Sequence, residues 1–281
     1  MSDPVDLFLV GARLAEFVAA FALFGFAAFQ VYAPADFRGS GGRFHRTILP
    51  ALAGVAAIGW GLAIAHQIGG AIDASIVSLL GRIWLTTGFG RALLTASLLG
   101  LAMMLNGLGR AQRRWLGLGL SALLLIVLSF VGHAAGGAAR LGVRATHLLA
   151  AGAWLGGLPP LALALRRESP STANLLRRFG FLGGVAVALI LVTGLLTVWF
   201  VVGIAGGRLG ILYTRVLIVK LALVLGLLAV AAINRFRLTP MVARRPREAL
   251  AALRGTVLLE QVLGLSVLAS VATLGQLDPT M

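Results

Sequence analysis

Long apolar runs constrain this chain more than any other feature of its sequence. Eight segments consist almost entirely of hydrophobic residues, whereas only 12% of all residues are charged. A bilayer core is crossed by roughly 20 apolar residues in an α-helix, and a soluble domain could not bury so many runs of this kind. We therefore predict an all-α, polytopic membrane bundle of about eight transmembrane helices. The predicted spans are about 7–31, 48–69, 89–106, 115–134, 143–165, 180–204, 213–234 and 253–275.

The distribution of arginine predicts the orientation of this bundle. One alternating set of connections holds sixteen arginines and the other holds five. Cytoplasmic loops are enriched in Lys and Arg, so the richer set (32–47, 107–114, 166–179 and 235–254) should be cytoplasmic. Both termini would then be periplasmic in a bacterial inner (cytoplasmic) membrane. The same rule explains the net charge of +15, so we expect the lipid bilayer, and not nucleic acid, as the main partner.

No soluble domain is left between the predicted spans, so we interpret residues 1–281 as one integral membrane domain. The longest connections, including 70–88, are expected to be loops. Acidic residues precede the first apolar run, so we expect no cleavable signal peptide and insertion directed by the first helix. Pro159 and Pro160 are expected to kink the inner half of the fifth span.

Three of the four histidines fall at one predicted depth. His66 ends the second span, His133 ends the fourth and His147 begins the fifth, so all three should lie near the periplasmic surface. Imidazole suits copper, zinc and haem iron. A single histidine at a helix end is more often bound to water or a carbonyl group, but three at one level favour a shared metal site. His45, in the first arginine-rich loop, is expected to be a solvated polar residue.

Polar and charged side chains inside the predicted spans need partners, because an isolated charge in the bilayer is costly. One interpretation is a structural clasp between helices, in which Glu16 and Lys220 are deep enough to pair. The other is a polar track or gate from the histidines toward the cytoplasm, with Glu260 only a few ångströms deeper than Lys220. The candidate residues are Glu16, Lys220, Glu260, Arg13, Tyr213 and Arg215.

The sequence also excludes several classes of chemistry. The chain has no cysteine, which excludes disulfides and thiolate metal sites. No nucleophile–base constellation and no phosphate-binding loop is visible, so we expect a transporter or metal-binding membrane protein rather than an enzyme. No Met-x-x-Met repeat faces outward, so a site here would be rich in nitrogen and would favour Cu(II), zinc or haem over thioether-bound Cu(I).

Three blocks of sequence carry a resemblance to a known family. SFVGHAAGG followed by RATHLLAAGAWLGGLPPL, then YTRVLIVKLALVLGLLAVAAINRFRLTP, then LRGTVLLEQVLGLSVLASVATLG occur in order. They resemble the copper resistance protein D (CopD) family of inner-membrane copper homeostasis proteins. The likeness is strong over 129–275. Residues 1–128 supply four additional spans and match mainly in hydropathy.

The resemblance implies an inner-membrane protein of copper uptake or resistance, with a copper ion as its metal. The family's histidines map onto His133 and His147. The chain lacks Met-rich or His-rich outer loops and a fused copper-binding domain, so a small periplasmic copper-binding protein is the expected partner. A more remote resemblance to b-type di-haem cytochromes leaves a haem b or quinone-linked redox protein as an alternative. A third possibility is a non-catalytic membrane scaffold for a copper protein.

Overall fold

The computed structural model describes residues 5–39, 41–69, 74–109, 113–131, 137–167, 169–204 and 206–280. These residues form helices and connecting turns, without strands. Short 3-10 and π-helical turns occupy Ala35–Phe37, Phe44–Ile48 and Asn234–Leu238. The α-helices are α1 (Leu7–Tyr32), α2 (Leu49–Gly69), α3 (Ala74–Thr86), α4 (Gly88–Leu108), α5 (Arg114–Ser129), α6 (Gly137–Leu155), α7 (Leu158–Ala164), α8 (Thr172–Ile204), α9 (Ile211–Ile233), α10 (Thr239–Met241) and α11 (Pro246–Leu274).

The predicted polytopic helical bundle is confirmed. Within the described residues, seven helical segments are long and apolar enough to cross a membrane. They match seven of the eight predicted spans. The remaining predicted span, 115–134, begins as the apolar helix α5 of 16 residues, and part of its predicted continuation lies outside the described residues.

The predicted loop at 70–88 differs from the structure, because it contains the helix α3. Ile76, Leu80 and Ile83 are spaced by four and three residues, and all three are buried on one face of α3. This face packs against Ala65 and its neighbours on α2. Val77 on the opposite face is exposed. α3 is therefore a short amphipathic helix, whose apolar spacing was present in the sequence.

Helix α1 lies at the centre of the bundle and packs against α2, α5, α6, α7 and α11. Glycines allow the closest approaches. Gly25 lies so close to the backbone of Gly156 and Gly157 that a Cβ atom would overlap it, and Gly107 on α4 meets the Arg46 carbonyl group in the same way. Small residues at helix contacts are typical of membrane bundles, where packing replaces the hydrophobic effect between helices.

The helix of the fifth span is interrupted just before Pro159 and Pro160, the residues expected to kink it. α6 ends at Leu155 and α7 resumes at Leu158, with prolines in its first turn. The interruption falls on Gly156 and Gly157, at the close contact with α1. Arg254 of α11 donates a hydrogen bond to the carbonyl oxygen of Leu165 at 2.8 Å, just beyond the end of α7.

A hydrogen bond joins two of the arginine-rich connections, 32–47 and 166–179, whose end of the bundle is called the arginine-rich face. Ser169 donates from its hydroxyl group to the Asp36 carboxylate at 2.7 Å. Ser171 and Ser169 together hold the pKa of Asp36 below its ordinary value. The connection after α1 is thus fastened to the connection before α8.

The helices α8 and α9 are peripheral. α8 packs chiefly against α6, and α9 packs chiefly against α11. Many of their large apolar side chains are exposed, including Phe181, Trp199 and Leu225. Such a surface is typical of helices that face lipid. Between α8, α9 and α11 a cavity of about 560 Å³ is left open.

Candidate functional site

His147 on α6 faces α8. Its Nδ1 atom lies 2.9 Å from the hydroxyl oxygen of Thr193. The Thr193 hydroxyl group donates its single hydrogen to the carbonyl oxygen of Leu189 at 2.5 Å. With that hydrogen on the Leu189 carbonyl oxygen, the hydroxyl oxygen accepts from the Nδ1–H tautomer of His147. In this tautomer the lone pair of Nε2 is free for a proton or a metal ion, as in metal sites whose histidine is oriented by a second hydrogen bond.

His66 lies in the last turn of α2, in different surroundings. Its ring packs edge to face against Phe8 of α1, with 6.4 Å between ring centroids. The side chain is half-buried, and its Nδ1 atom is buried without a hydrogen-bond partner. One ring nitrogen is thus shielded next to α1.

The structure does not bring His66 and His147 into contact with each other. Leu148 and Ala151 of α6 join the core around α1, whereas His147 is turned toward α8. His133 lies outside the described residues. Within the described part of the chain, no group of three His, Cys, Asp or Glu side chains is arranged to hold a metal ion. A shared three-histidine site therefore stays a prediction that depends on His133.

Arg13 of α1 is buried in a pocket of aromatic rings and backbone. Its Cζ atom lies 5.6 Å from the centroid of Phe17 and 5.5 Å from that of Trp60. Gly275 leaves room for the guanidinium group, since a Cβ atom there would overlap it. Stacking on aromatic faces stabilises a guanidinium group that has few water molecules around it.

Glu16, one turn further along α1, is fully buried and neither carboxyl oxygen has a hydrogen-bond partner. The ion pair considered between Glu16 and Lys220 is not formed. Over the residues that the structure describes, the ion pair found joins Arg245 to Glu248 on the surface. A carboxyl group buried in this way is stable only when protonated or when another group reaches it.

Lys220 of α9 belongs to the surroundings of His147. It is half-buried, and its ammonium group is near enough to act electrostatically on the imidazole. Tyr213 is half-buried and Arg215 is exposed, both in the first turns of α9.

Glu260 of α11 is buried at the cavity between α8 and α9. It lies beside Asn234, which follows Lys220 by fourteen residues along the same helix. Fourteen residues correspond to about 21 Å of helix. Lys220 and Glu260 are therefore further apart than the few ångströms expected from their depths in the two spans.

Asn234 and Arg235 were not among the predicted site residues, although both line this cavity. The Asn234 amide group is buried, and neither its nitrogen nor its oxygen makes a hydrogen bond of normal geometry. Arg235 donates to the carbonyl oxygen of Gly180 on α8 and lies against Gly184. A polar Asn in an apolar run was the signal available in the sequence.

His45 is also misjudged from sequence, because it is 6% exposed and not solvated. Its ring is stacked on Phe26, with 5.4 Å between centroids and an interplanar angle of 9°. The π-helical turn at Phe44–Ile48 extends α2 into the predicted loop and carries the ring inward. The arginines on both sides of His45 had suggested a solvated segment.

Fold and site together define a multi-pass α-helical membrane protein with imidazole, carboxyl and amide groups inside its bundle. Family models described as "Copper resistance protein D" and "Copper resistance protein D-like, N-terminal domain" match residues 173–274 and 1–143. The chain belongs to the copper resistance protein D family. The match over 1–143 extends the likeness into the half that had resembled the family mainly in hydropathy.

Two curated proteins are similar to the chain. Copper resistance protein D of Pseudomonas syringae pv. tomato is 33% identical over 180 residues, which are 58% of each chain. Inner membrane protein YebZ of Escherichia coli (strain K12) is 29% identical over 163 residues, 55% of this chain and 56% of YebZ. The alignments thus span somewhat more than half the length of these relatives. No solved structure matches the chain.

Proposed function

We propose that the chain handles copper in the bacterial inner membrane, contributing to uptake or resistance, with a periplasm-facing site formed by His66, His133 and His147. The observation that carries the proposal is the orientation of His147. Thr193 holds the proton on Nδ1 and leaves Nε2 as a metal donor. The family and one relative are both named copper resistance protein D, which supports copper as the metal.

The surroundings of His147 suit a ligand that binds and releases an ion. A metal ion at Nε2 would displace no proton from a ring already protonated only at Nδ1, so binding adds positive charge. The Lys220 ammonium group close to this ring opposes that charge. A neighbouring cation weakens the binding of a metal ion, which favours transfer over storage.

A polar track toward the cytoplasm would use residues further along the same helices. Asn234 supplies an amide group about 21 Å from Lys220 along the same helix, and Glu260 of α11 supplies a carboxyl group beside it. Glu16, Arg13, Tyr213 and Arg215 are the other candidates. Glu16 and Glu260 are both buried and both able to carry a proton or accept a cation.

Copper delivery by a small periplasmic copper-binding protein belongs to the same proposal, since the site would open toward the periplasm. The haem b or quinone alternative gains no support from the described geometry. Bis-histidine ligation, as in b-type cytochromes, requires two imidazoles that face one another across the haem, whereas of the described span histidines His66 faces α1 and His147 faces α8.

Thr193→Val tests this proposal at the residue that orients His147. The change keeps the side-chain volume but removes the hydroxyl group, so we expect copper affinity of the purified protein to fall about 10- to 100-fold. Thr197→Val is the matched control, one turn further along α8, because its hydroxyl group bonds only the Thr193 carbonyl oxygen.

The measurements are copper bound per protein by elemental analysis in mild detergent and cellular copper content. In a protein that already carries His147→Ala, adding Thr193→Val should change neither the bound copper nor the cellular copper any further. Copper binding and cellular copper that are unchanged in His147→Ala and in Thr193→Val would contradict the proposal.

A further inference from the structure

A second, smaller cavity lies at the arginine-rich face of the bundle, where four helices end together. It is about 30 Å³ in volume and partly open to the surface. The end of α1, the π-helical turn before α2, the end of α4 and the start of α5 surround it. Its polar lining consists of Gln30, His45, Arg46, Asn106 and Arg114.

Two buried donors in this lining have no partner. Gln30 is 9% exposed; its Oε1 atom accepts from the Gly39 N–H group at 2.8 Å, but its Nε2 atom is unpaired. Arg46 is unpaired at Nε. The His45 ring lies beside them, next to Gly41. Buried N–H groups are rarely left without an acceptor, so two such donors around one small space indicate a missing acceptor.

The charge of the lining selects the kind of acceptor. Arg46 and Arg114 are cationic, and none of the described residues that line the cavity is acidic. Met103 contributes a thioether, which could bind Cu(I), but two guanidinium groups repel a metal cation. Guanidinium groups bind phosphate oxygens through strong charge-assisted hydrogen bonds, and basic pockets at the cytoplasmic ends of membrane helices bind anionic lipid headgroups.

We propose that this cavity is a phosphate-binding site. A volume of about 30 Å³ admits one phosphate oxygen, which would accept from the Gln30 amide and the Arg46 guanidinium, while Arg114 contacts the remainder of the group at the opening. The phosphate belongs to a lipid headgroup or is free in solution. The site is separate from His147 and does not depend on copper transport.

The test uses dioctanoyl phosphatidylglycerol, dioctanoylglycerol and inorganic phosphate as probes on the whole protein in detergent. Dioctanoylglycerol has the same acyl chains without phosphate. Arg46→Gln and Arg114→Gln are each expected to weaken phosphatidylglycerol binding about tenfold. Arg113→Gln is the matched control, because Arg113 is exposed, adjacent in sequence and not part of the lining.

The outcomes separate the sources of the phosphate and can overturn the site. Tight binding of phosphatidylglycerol that dioctanoylglycerol does not reproduce supports a lipid headgroup. Binding of inorganic phosphate with the same dependence on Arg114 supports free phosphate. Equal affinity in wild type and Arg114→Gln, or an equal loss in Arg113→Gln, overturns the proposal, and Arg114→Gln is an exposed change that the fold should tolerate.

Discussion

A threonine hydroxyl group on α8 orients the imidazole of His147. Thr193 can donate only one hydrogen, and it uses that hydrogen within its own helix. With that hydrogen so used, the hydroxyl oxygen accepts from the Nδ1–H tautomer of the imidazole, in which Nε2 is free. A histidine in an apolar helix thus takes a fixed orientation through one hydrogen bond to a neighbouring helix.

A single glycine, Gly25, is equally important for the packing of α1 against the junction of α6 and α7. Gly25→Ala should destabilise the protein by about 3 kcal/mol, because the new Cβ atom would overlap the backbone of Gly156 and Gly157, which cannot move away as a side chain could. The thermal midpoint of the purified protein in detergent measures the effect. Gly11→Ala on the same helix is the control, since nothing lies within 4 Å of its Cβ position. Equal midpoints for both variants would contradict the prediction.

At this scale the sequence identifies some residues and misses others for physical reasons. His147 stands out as a polar group in an apolar run, but Thr193 is 46 residues away and becomes its partner only through the packing of α6 on α8. His45 looks solvated because arginines surround it, yet stacking on Phe26 buries it. The sequence shows which polar side chains are present, whereas their hydrogen-bond and stacking partners depend on which helices pack together.

At the scale of elements, hydropathy predicts spans better than it predicts short helices. The long spans are visible because each needs a continuous apolar run. α3 was missed because only one of its faces is apolar and packed, so its average composition resembles a connection. The prolines after Gly157 predicted a kink, and the helix is interrupted directly before them, because proline removes a helical hydrogen bond.

The packed face of α3 gives a prediction at this scale. Leu80→Ala should loosen the docking of α3 on α2 by about 2–4 kcal/mol, since Leu80 is buried against Gly61. Hydrogen–deuterium exchange of residues 76–86 in lipid nanodiscs should become faster. Val77→Ala removes an exposed side chain from the same helix and should change exchange little. Unchanged exchange in Leu80→Ala would show that α3 is held by other contacts.

At the scale of the whole molecule, the bundle is organised around α1, which contacts both halves of the chain. The arginine-rich ends of α1, α4 and the turn before α2 lie together at one face, as the charge count required. The orientation of that face in the membrane follows from the arginine count alone, and it stays a prediction.

Single-cysteine labelling can test the orientation directly, because the native chain has no cysteine. Arg208→Cys, between α8 and α9, should react with a membrane-impermeant thiol reagent added to the periplasmic side. Arg244→Cys, between α10 and α11, should react only after the cells are permeabilised. The reverse pattern would invert the topology and place the three histidines at the cytoplasmic face.

The sparse support of α8 and α9 matters for anyone who extracts this protein from its membrane. Each of these two helices packs mainly against one other helix. In the membrane, much of its apolar surface is covered only by lipid acyl chains. A small, harsh micelle competes with that single contact, so the pair should be the first region to detach. Thr193 and Lys220 would leave with it, and a preparation could keep most of its helix content while losing the environment of His147.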